Sequence, residues 1–169
     1  MRFLIIFIFL ITNVVAEELP GIKNIVIHKA PKTYDNVIFL DKKDQKININ
    51  EYRGNLLVLN FWATWCEPCK EEMPSLDKLQ ANPELDKIKI FAINIGKENS
   101  DKVNKFFIDF NIKNFEPYFD PPTTLAKMFS LRGVPTSILI NKEGQEFARI
   151  IGSIDFEDKN FVSWIKKYN

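Results

Sequence analysis

The residues that most often build metal and acid–base sites are scarce in this sequence. Histidine occurs once, at His28, and cysteine twice, at Cys66 and Cys69. A closed zinc site takes four ligands, so two cysteines fall short of one, and no metal or other cofactor is expected. A disulfide between residues so close in sequence closes too small a loop to serve mainly as a structural staple. An excess of one charge is missing too: 23 Lys and Arg stand against 22 Asp and Glu, a formal net charge of +1. That leaves no surplus of phosphate-neutralising side chains, and nucleic acid is not an expected partner. Internal repeats and low-complexity tracts are absent. So is any apolar run near the ~20 residues of a membrane-spanning helix.

What is present describes one globular domain. Apolar residues make up 46% of the chain and charged residues 27%, which excludes both disorder and a multi-span membrane protein. The first sixteen residues differ from the rest: Arg2 gives a positive start, Phe3 to Ile11 is apolar, and Ala16 precedes Glu17-Glu18. This is the pattern of a secretory signal peptide, with cleavage expected after Ala16. The alternative is an uncleaved anchor through residues 3–15, which as a helix would cover roughly 20 Å of a roughly 30 Å hydrocarbon core. Either way the expected location is periplasmic or otherwise extracytoplasmic. Residues 17–36 mix Pro, Gly and charge and read as a linker, His28 included, leaving 37–169 as the domain.

Within that domain, Val37–Leu40 and Ile47–Ile49 predict a short N-terminal β-hairpin around a turn-rich DKKDQK. Leu56–Trp62 is almost wholly apolar, the mark of a central strand buried on both faces. A helix is expected from about Cys66 to Gln80, and a second central strand over Ile88–Ile95. Ser100 is a candidate cap for a helix over 101–111 with Val103, Phe106, Phe107 and Phe110 as its buried stripe. Thr123 or Thr124 is a candidate cap for a short helix through Phe129. Thr136–Ile140 and Glu146–Ile151 form a hairpin pattern, and Phe156–Tyr168 a terminal amphipathic helix. This order implies an α/β fold with parallel central strands plus an antiparallel hairpin.

The informative stretch is Asn60–Pro74, NFWATWCEPCKEEMP. A buried strand ends at Trp62, a short loop follows, and the cysteines open a helix. There the free N–H groups and the helix dipole favour negative charge, which lowers the Cys66 thiol pKa and makes it the attacking thiolate. Cys69 lies one turn on and can reach back to resolve a mixed disulfide. Pro68 costs little in a first turn, where its missing N–H would lack a helical partner. Chemistry at the pair is therefore the better reading.

At these residues the chain resembles the thioredoxin-like proteins of the TlpA, ResA and CcmG type (AhpC/TSA-redoxin-like). Glu51-Tyr52-Arg53-Gly54, Gly133-Val134-Pro135-Thr136 and Asn141-Lys142-Glu143-Gly144 are similar to the family's turn before the first core strand, its cis-proline loop and the hairpin after it. The resemblance implies a thioredoxin-like fold, a central mixed sheet flanked by helices. It implies a thiol–disulfide oxidoreductase with Cys66 and Cys69 as redox pair and Pro135 in cis beside them, leaving the Val134 backbone to pair with substrate. Trp65, Glu67, Pro68, Val134 and Pro135 are the candidate substrate contacts. Trp62 is expected in the core and Trp65 on an exposed rim. Where thioredoxins commonly carry a buried aspartate, this chain has Asn60, so the proton-accepting role passes to Glu72. The competing reading of Glu67 and Glu72 is a pair of solvated acids beside Lys70 or Lys78. One departure is Lys97 after Gly96, where ResA-like proteins carry an acid.

The implied activity is reduction of disulfides in exported proteins such as apocytochrome c, with electrons from a membrane thiol-reducing protein. Two alternatives remain open at this point: a general disulfide oxidant or isomerase, and a copper metallochaperone using the reduced pair.

Overall fold

The computed structural model describes residues 21–120 and 123–169. The signal or anchor segment, and the first residues of the expected linker, lie outside them. Eight strands form one mixed sheet: β1 (Ile25–Lys32), β2 (Ile38–Leu40), β3 (Lys46–Asn48), β4 (Leu56–Trp62), β5 (Ile88–Asn94), β6 (Pro117–Phe119), β7 (Thr136–Ile140) and β8 (Glu146–Ile151). Their order in space is β1-β8-β7-β4-β5-β6-β2-β3. β4, β5 and β6 run parallel, β7 lies antiparallel to β4, and β2–β3 is the expected hairpin at the far edge. Among the described residues four helices cover the sheet: α1 (Glu67–Gln80), α2 (Ser100–Asp109), α3 (Thr124–Met128) and α4 (Lys159–Ile165).

β4 is buried at every position, and its period-two alternation divides the core in two. Leu56, Val58 and Trp62 join Met73, Leu76, Val103, Phe106 and Trp164 under α1, α2 and α4. Leu57, Leu59 and Phe61 join Phe39, Phe91, Leu125 and Phe129 on the α3 side. Asn60 shares the parity of Val58 and Trp62, so a polar side chain enters the layer beneath α1. The phenylalanines of α2 pack on Trp62, with ring centroids 4.6 Å away for Phe106 and 5.8 Å for Phe107, as core rather than as a cofactor pocket.

Four sequence expectations need correction. The stretch read as a linker contains β1, an edge strand whose Ile25 and Ile27 pair with Ile150 and Ala148 of β8. Its alternation is masked in sequence by the lysines and proline around it. His28 therefore has a place in the fold: its Nε2 lies 2.6 Å from Glu146 Oε1. Sequence also misses a strand at β6, which is only three residues long and opens on Pro117, a residue tolerated at strand starts. One helix cap differs as well: Asn99, not Ser100, caps α2 by accepting from the Lys102 N–H. At α3 Thr123 holds the N-cap position as expected, while the Asp120 carboxylate takes the N–H groups of Thr124, Leu125 and Ala126.

Candidate active site

The end of β4 carries the chain into the site. After Trp62, the Cys66 N–H closes a turn on the Ala63 carbonyl at 3.2 Å, and Cys66 becomes the N-cap of α1 in an extended conformation. Pro68 falls in the first helical turn, where no intrahelical N–H is needed. Cys66 and Cys69 are joined by a disulfide, Cys69 fully buried and Cys66 nearly so. The Cys69 backbone N–H points at Cys66 Sγ from 3.2 Å. The same N–H and the positive end of the helix dipole favour negative charge at Cys66 Sγ.

In the loop before β7, Val134-Pro135 is a cis peptide bond. A shallow groove of about 460 Å³ runs along it, lined by Trp65, Ile95, Ala126, Leu131, Arg132, Gly133 and Val134. Trp65 is 64% exposed while Trp62 is fully buried, the division expected from sequence. Among the described residues nothing takes the Val134 backbone N–H or C=O. Glu67 is the solvated acid of the two: its side chain is 72% exposed and pairs with Lys70 at 2.7 Å.

Glu72 has a different setting. It lies on the face of α1 that carries Cys69, one turn further on, and is only 2% exposed. Asn60 Nδ2 donates to its Oε1 at 2.8 Å, and the Ile154 N–H also reaches the carboxyl. Among the described residues no cation faces it. Burial pushes the carboxyl from its ordinary 4.5 up to about 8, against the smaller opposing pull of those two donors. Asn60 also donates to Ser137 Oγ at 2.9 Å, its register partner on β7.

Sequence reading missed Glu98. Its carboxylate accepts from the Thr64 backbone N–H at 2.8 Å, from the Thr64 hydroxyl and from Asn94 Nδ2 at 3.0 Å. Burial works to raise its pKa, but hydrogen bonds from Lys102, Thr64 and Asn94 hold it down at about 2. This charged tether ties the loop before Cys66 to the end of β5. A Cβ at Gly96 would meet Glu98 Oε2 at 2.6 Å, so a larger residue there would push this carboxylate off its donors. The signal was present as a glycine followed two residues later by an acid, with Lys97 between them.

A helix-capping disulfide beside a cis-proline groove is an arrangement for thiol exchange, and known proteins match it. The AhpC/TSA family matches residues 26–145. The chain belongs to that family. ResA of Bacillus cereus, a thiol-disulfide oxidoreductase, is 32% identical over 121 residues, covering 72% of this chain and 69% of that one. ResA of Geobacillus kaustophilus is 32% identical over 126 residues, covering 75% and 71%. Among solved structures, StoA of Bacillus subtilis superposes with a TM-score of 0.62 at 26% identity, covering 75% of this chain and 93% of StoA. A DsbF homologue from Corynebacterium diphtheriae gives 0.73 at 21% identity, covering 89% and 96%. The fold is thioredoxin-like, and this AhpC/TSA protein is a thiol–disulfide oxidoreductase. Among the described residues no helix is long and apolar enough to cross a membrane.

Proposed function

We propose that the chain works outside the cytoplasm as a reductant of disulfides in exported proteins, apocytochrome c being the candidate substrate. The observation that carries this reading is Cys66 at the helix N-cap, next in sequence to Trp65, which lines a groove with Val134, and followed on the helix by buried Cys69 and Glu72. A substrate disulfide lies across the groove, its backbone paired with that of Val134 and its apolar side chains on Trp65. Glu67 and Pro68 form the helix-side rim, and Pro135 keeps the opposite wall against the cysteines.

The Cys66 thiolate attacks one substrate sulfur, forming a mixed disulfide and releasing the other sulfur as a thiolate. Cys69 gives its proton to the Glu72 carboxylate, and the resulting thiolate attacks Cys66 Sγ. The second substrate sulfur leaves, and the Cys66–Cys69 disulfide forms. Two electrons have moved from the dithiol to the substrate. An acid raised to about 8 is close to a free thiol's ~8.5, so it can take that proton and return it. A membrane thiol-reducing donor would restore the dithiol. The signal-like residues 1–16 support the location, through export or through anchoring by 3–15.

The test is the reduction potential of the Cys66–Cys69 couple, together with trapping by Cys69→Ser. A potential at or below about −250 mV supports the reductant reading, while one near about −120 mV places the chain with strong oxidants. Cys69→Ser should stall a mixed disulfide on Cys66. Absence of any covalent adduct with a disulfide-bearing c-type apoprotein would remove that substrate.

A further inference from the structure

Asn60 is fully buried, yet half of its amide has no work to do. Nδ2 donates to both Glu72 Oε1 and Ser137 Oγ, while Oδ1 is buried without a hydrogen-bond partner among the described residues. A buried carbonyl left this way is costly and calls for an explanation. The arrangement suits only one protonation state of Glu72. A carboxylate accepts from Asn60 Nδ2 and from the Ile154 N–H. A neutral acid has a proton to donate, and both of these neighbours are donors.

Turning the Asn60 amide by half a revolution offers a neutral Glu72 the acceptor it lacks with almost no change in shape, and leaves Nδ2 in place of Oδ1 as the unpaired half. Oδ1 then faces the two groups that Nδ2 faced, and accepts from the Glu72 O–H and the Ser137 O–H together. Ser137 fits either arrangement because a hydroxyl both donates and accepts. We propose that Asn60 is a positioning residue whose amide reverses with the proton on Glu72, with Ser137 as its swivel. Through that reversal one pocket supports both ends of the proton transfer from Cys69.

The inference rests on the reading of Glu72 as acceptor of the Cys69 proton. In the step itself the S–H bond of Cys69 breaks, the O–H bond of Glu72 forms, no electrons transfer, and the amide turns. The groups facing Glu72 are few: Cys69 on its own helix, Asn60 on β4, and the backbone of Ile154. Among the described residues no charged side chain acts on it, so nothing else there compensates the change. A fixed donor would stabilise only the carboxylate. A reversible amide leaves the carboxyl's affinity for the proton to burial, near that of the thiol.

The experiment is an NMR titration of the oxidised, isotope-labelled protein from about pH 6 to about pH 10, spanning the expected Glu72 midpoint and following Glu72 Cδ and the Asn60 side-chain amide. Contacts from the Asn60 amide protons to Ser137 should be present above the Glu72 midpoint and vanish below it. Contacts that persist unchanged through the Glu72 titration overturn the proposal. A second readout is the Glu72 midpoint in Asn60→Ala. A reversing amide loses one hydrogen bond in each state, so the midpoint stays within about half a unit. A fixed donor loses only the bond to the carboxylate, and the midpoint rises by about one unit or more. Asn60→Val, which removes the amide and keeps a residue suited to a strand, repeats the comparison if Asn60→Ala does not fold. The underlying reading has its own arm: Glu72→Gln should slow resolution of the Cys66 mixed disulfide by about 100-fold. An unchanged rate overturns the role of Glu72 in that transfer, whatever the amide does.

Discussion

Two glutamates are buried to nearly the same degree, and their carboxyl pKa values move in opposite directions. Glu72, under the disulfide, is 2% exposed and Glu146, on β8, is 0% exposed. Around Glu72 stand an amide and a backbone N–H, and its carboxyl rises to about 8. Around Glu146 stand Arg149, bonding through Nε at 2.7 Å and Nη2 at 2.9 Å, the Tyr34 hydroxyl at 2.6 Å, and His28. Burial works to raise Glu146 as well, but the hydrogen bonds from Arg149, Tyr34 and His28 overturn it, and the carboxyl ends below its ordinary value. Desolvation is common to both sites, so the partners decide. The disulfide end withholds a cation from its buried acid, whose pKa rises. The β1–β8 end supplies one and keeps a permanent charge.

The comparison is broken most severely by taking away the cation. Arg149→Met leaves Glu146 buried without its partner, for which a loss of about 3–5 kcal/mol is expected. The Phe129 carbonyl, which accepts from Arg149 Nη1 at 3.1 Å, loses its donor as well. Urea unfolding near neutral pH measures the total, and a loss under about 1 kcal/mol would mean that Glu146 is not held as a charge. The sign of the pH dependence is set by the lowered carboxyl. Its contribution is full above the ordinary value of 4.5 and is lost as pH falls through the depressed folded value. The difference between wild type and Arg149→Met therefore narrows in acid.

Glu72 predicts the opposite slope. Its folded value of about 8 lies above the ordinary 4.5, so between these pH values the folded chain keeps a proton that the unfolded chain releases. Wild type then loses stability as pH rises from about 4.5 to about 8, and levels off beyond. Glu72→Gln removes the titration and should be more stable than wild type by about 4 kcal/mol at about pH 8, with almost no difference at about pH 4. Denaturation series at the two pH values check this. Parallel profiles for wild type and variant would put Glu72 in the charged class with Glu146. The gain in stability should come with the slowed resolution already described, a trade between a quiet core and a working proton.

How much of this is legible in sequence depends on how far apart the cooperating residues lie. Cys66 and Cys69, the apolar run of β4 and the cis Pro135 loop announce themselves in short contiguous stretches. Glu72 can be singled out because its spacing from Cys69 is helical. Its environment cannot, because Asn60 reaches it across 12 residues and Ser137 joins from 77 residues beyond Asn60. In sequence Asn60 reads only as a missing aspartate, and nothing there shows that its Nδ2 bonds both Glu72 and Ser137. His28 looks idle in a linker because its partner Glu146 is 118 residues away, brought close by an edge strand whose apolar start is short and followed by lysines and a proline. Glu98 hides one position beyond the site where an acid is sought.

The finest adjustment to the comparison is to remove the outer members of the Glu146 cluster and leave Arg149 in place. His28 and Tyr34 are the links from the β1 side to β8, and each makes one hydrogen bond to a different oxygen of Glu146, Oε1 and Oε2. The His28 ring donates through Nε2–H, and Tyr34 donates its hydroxyl, whose own pKa is pushed up to about 12 by burial and by the adjoining carboxylate. Tyr34 also packs its ring on Phe129 at 4.5 Å, so Tyr34→Phe removes the hydroxyl and keeps that contact. A hydrogen bond to a charged group contributes about 1.5–3 kcal/mol when buried, and His28 is partly open to solvent, which lowers its share. Expected losses are about 1.5 kcal/mol for Tyr34→Phe and about 1 kcal/mol for His28→Ala. Both bonds stabilise one carboxylate, so the double variant should depart from the sum by about 0.5 kcal/mol or more. Neither change touches the disulfide, and the rate of thiol exchange should stay within about twofold of wild type. Strict additivity would mean that the two side chains hold β1 to β8 independently, and that Arg149 alone keeps Glu146 charged.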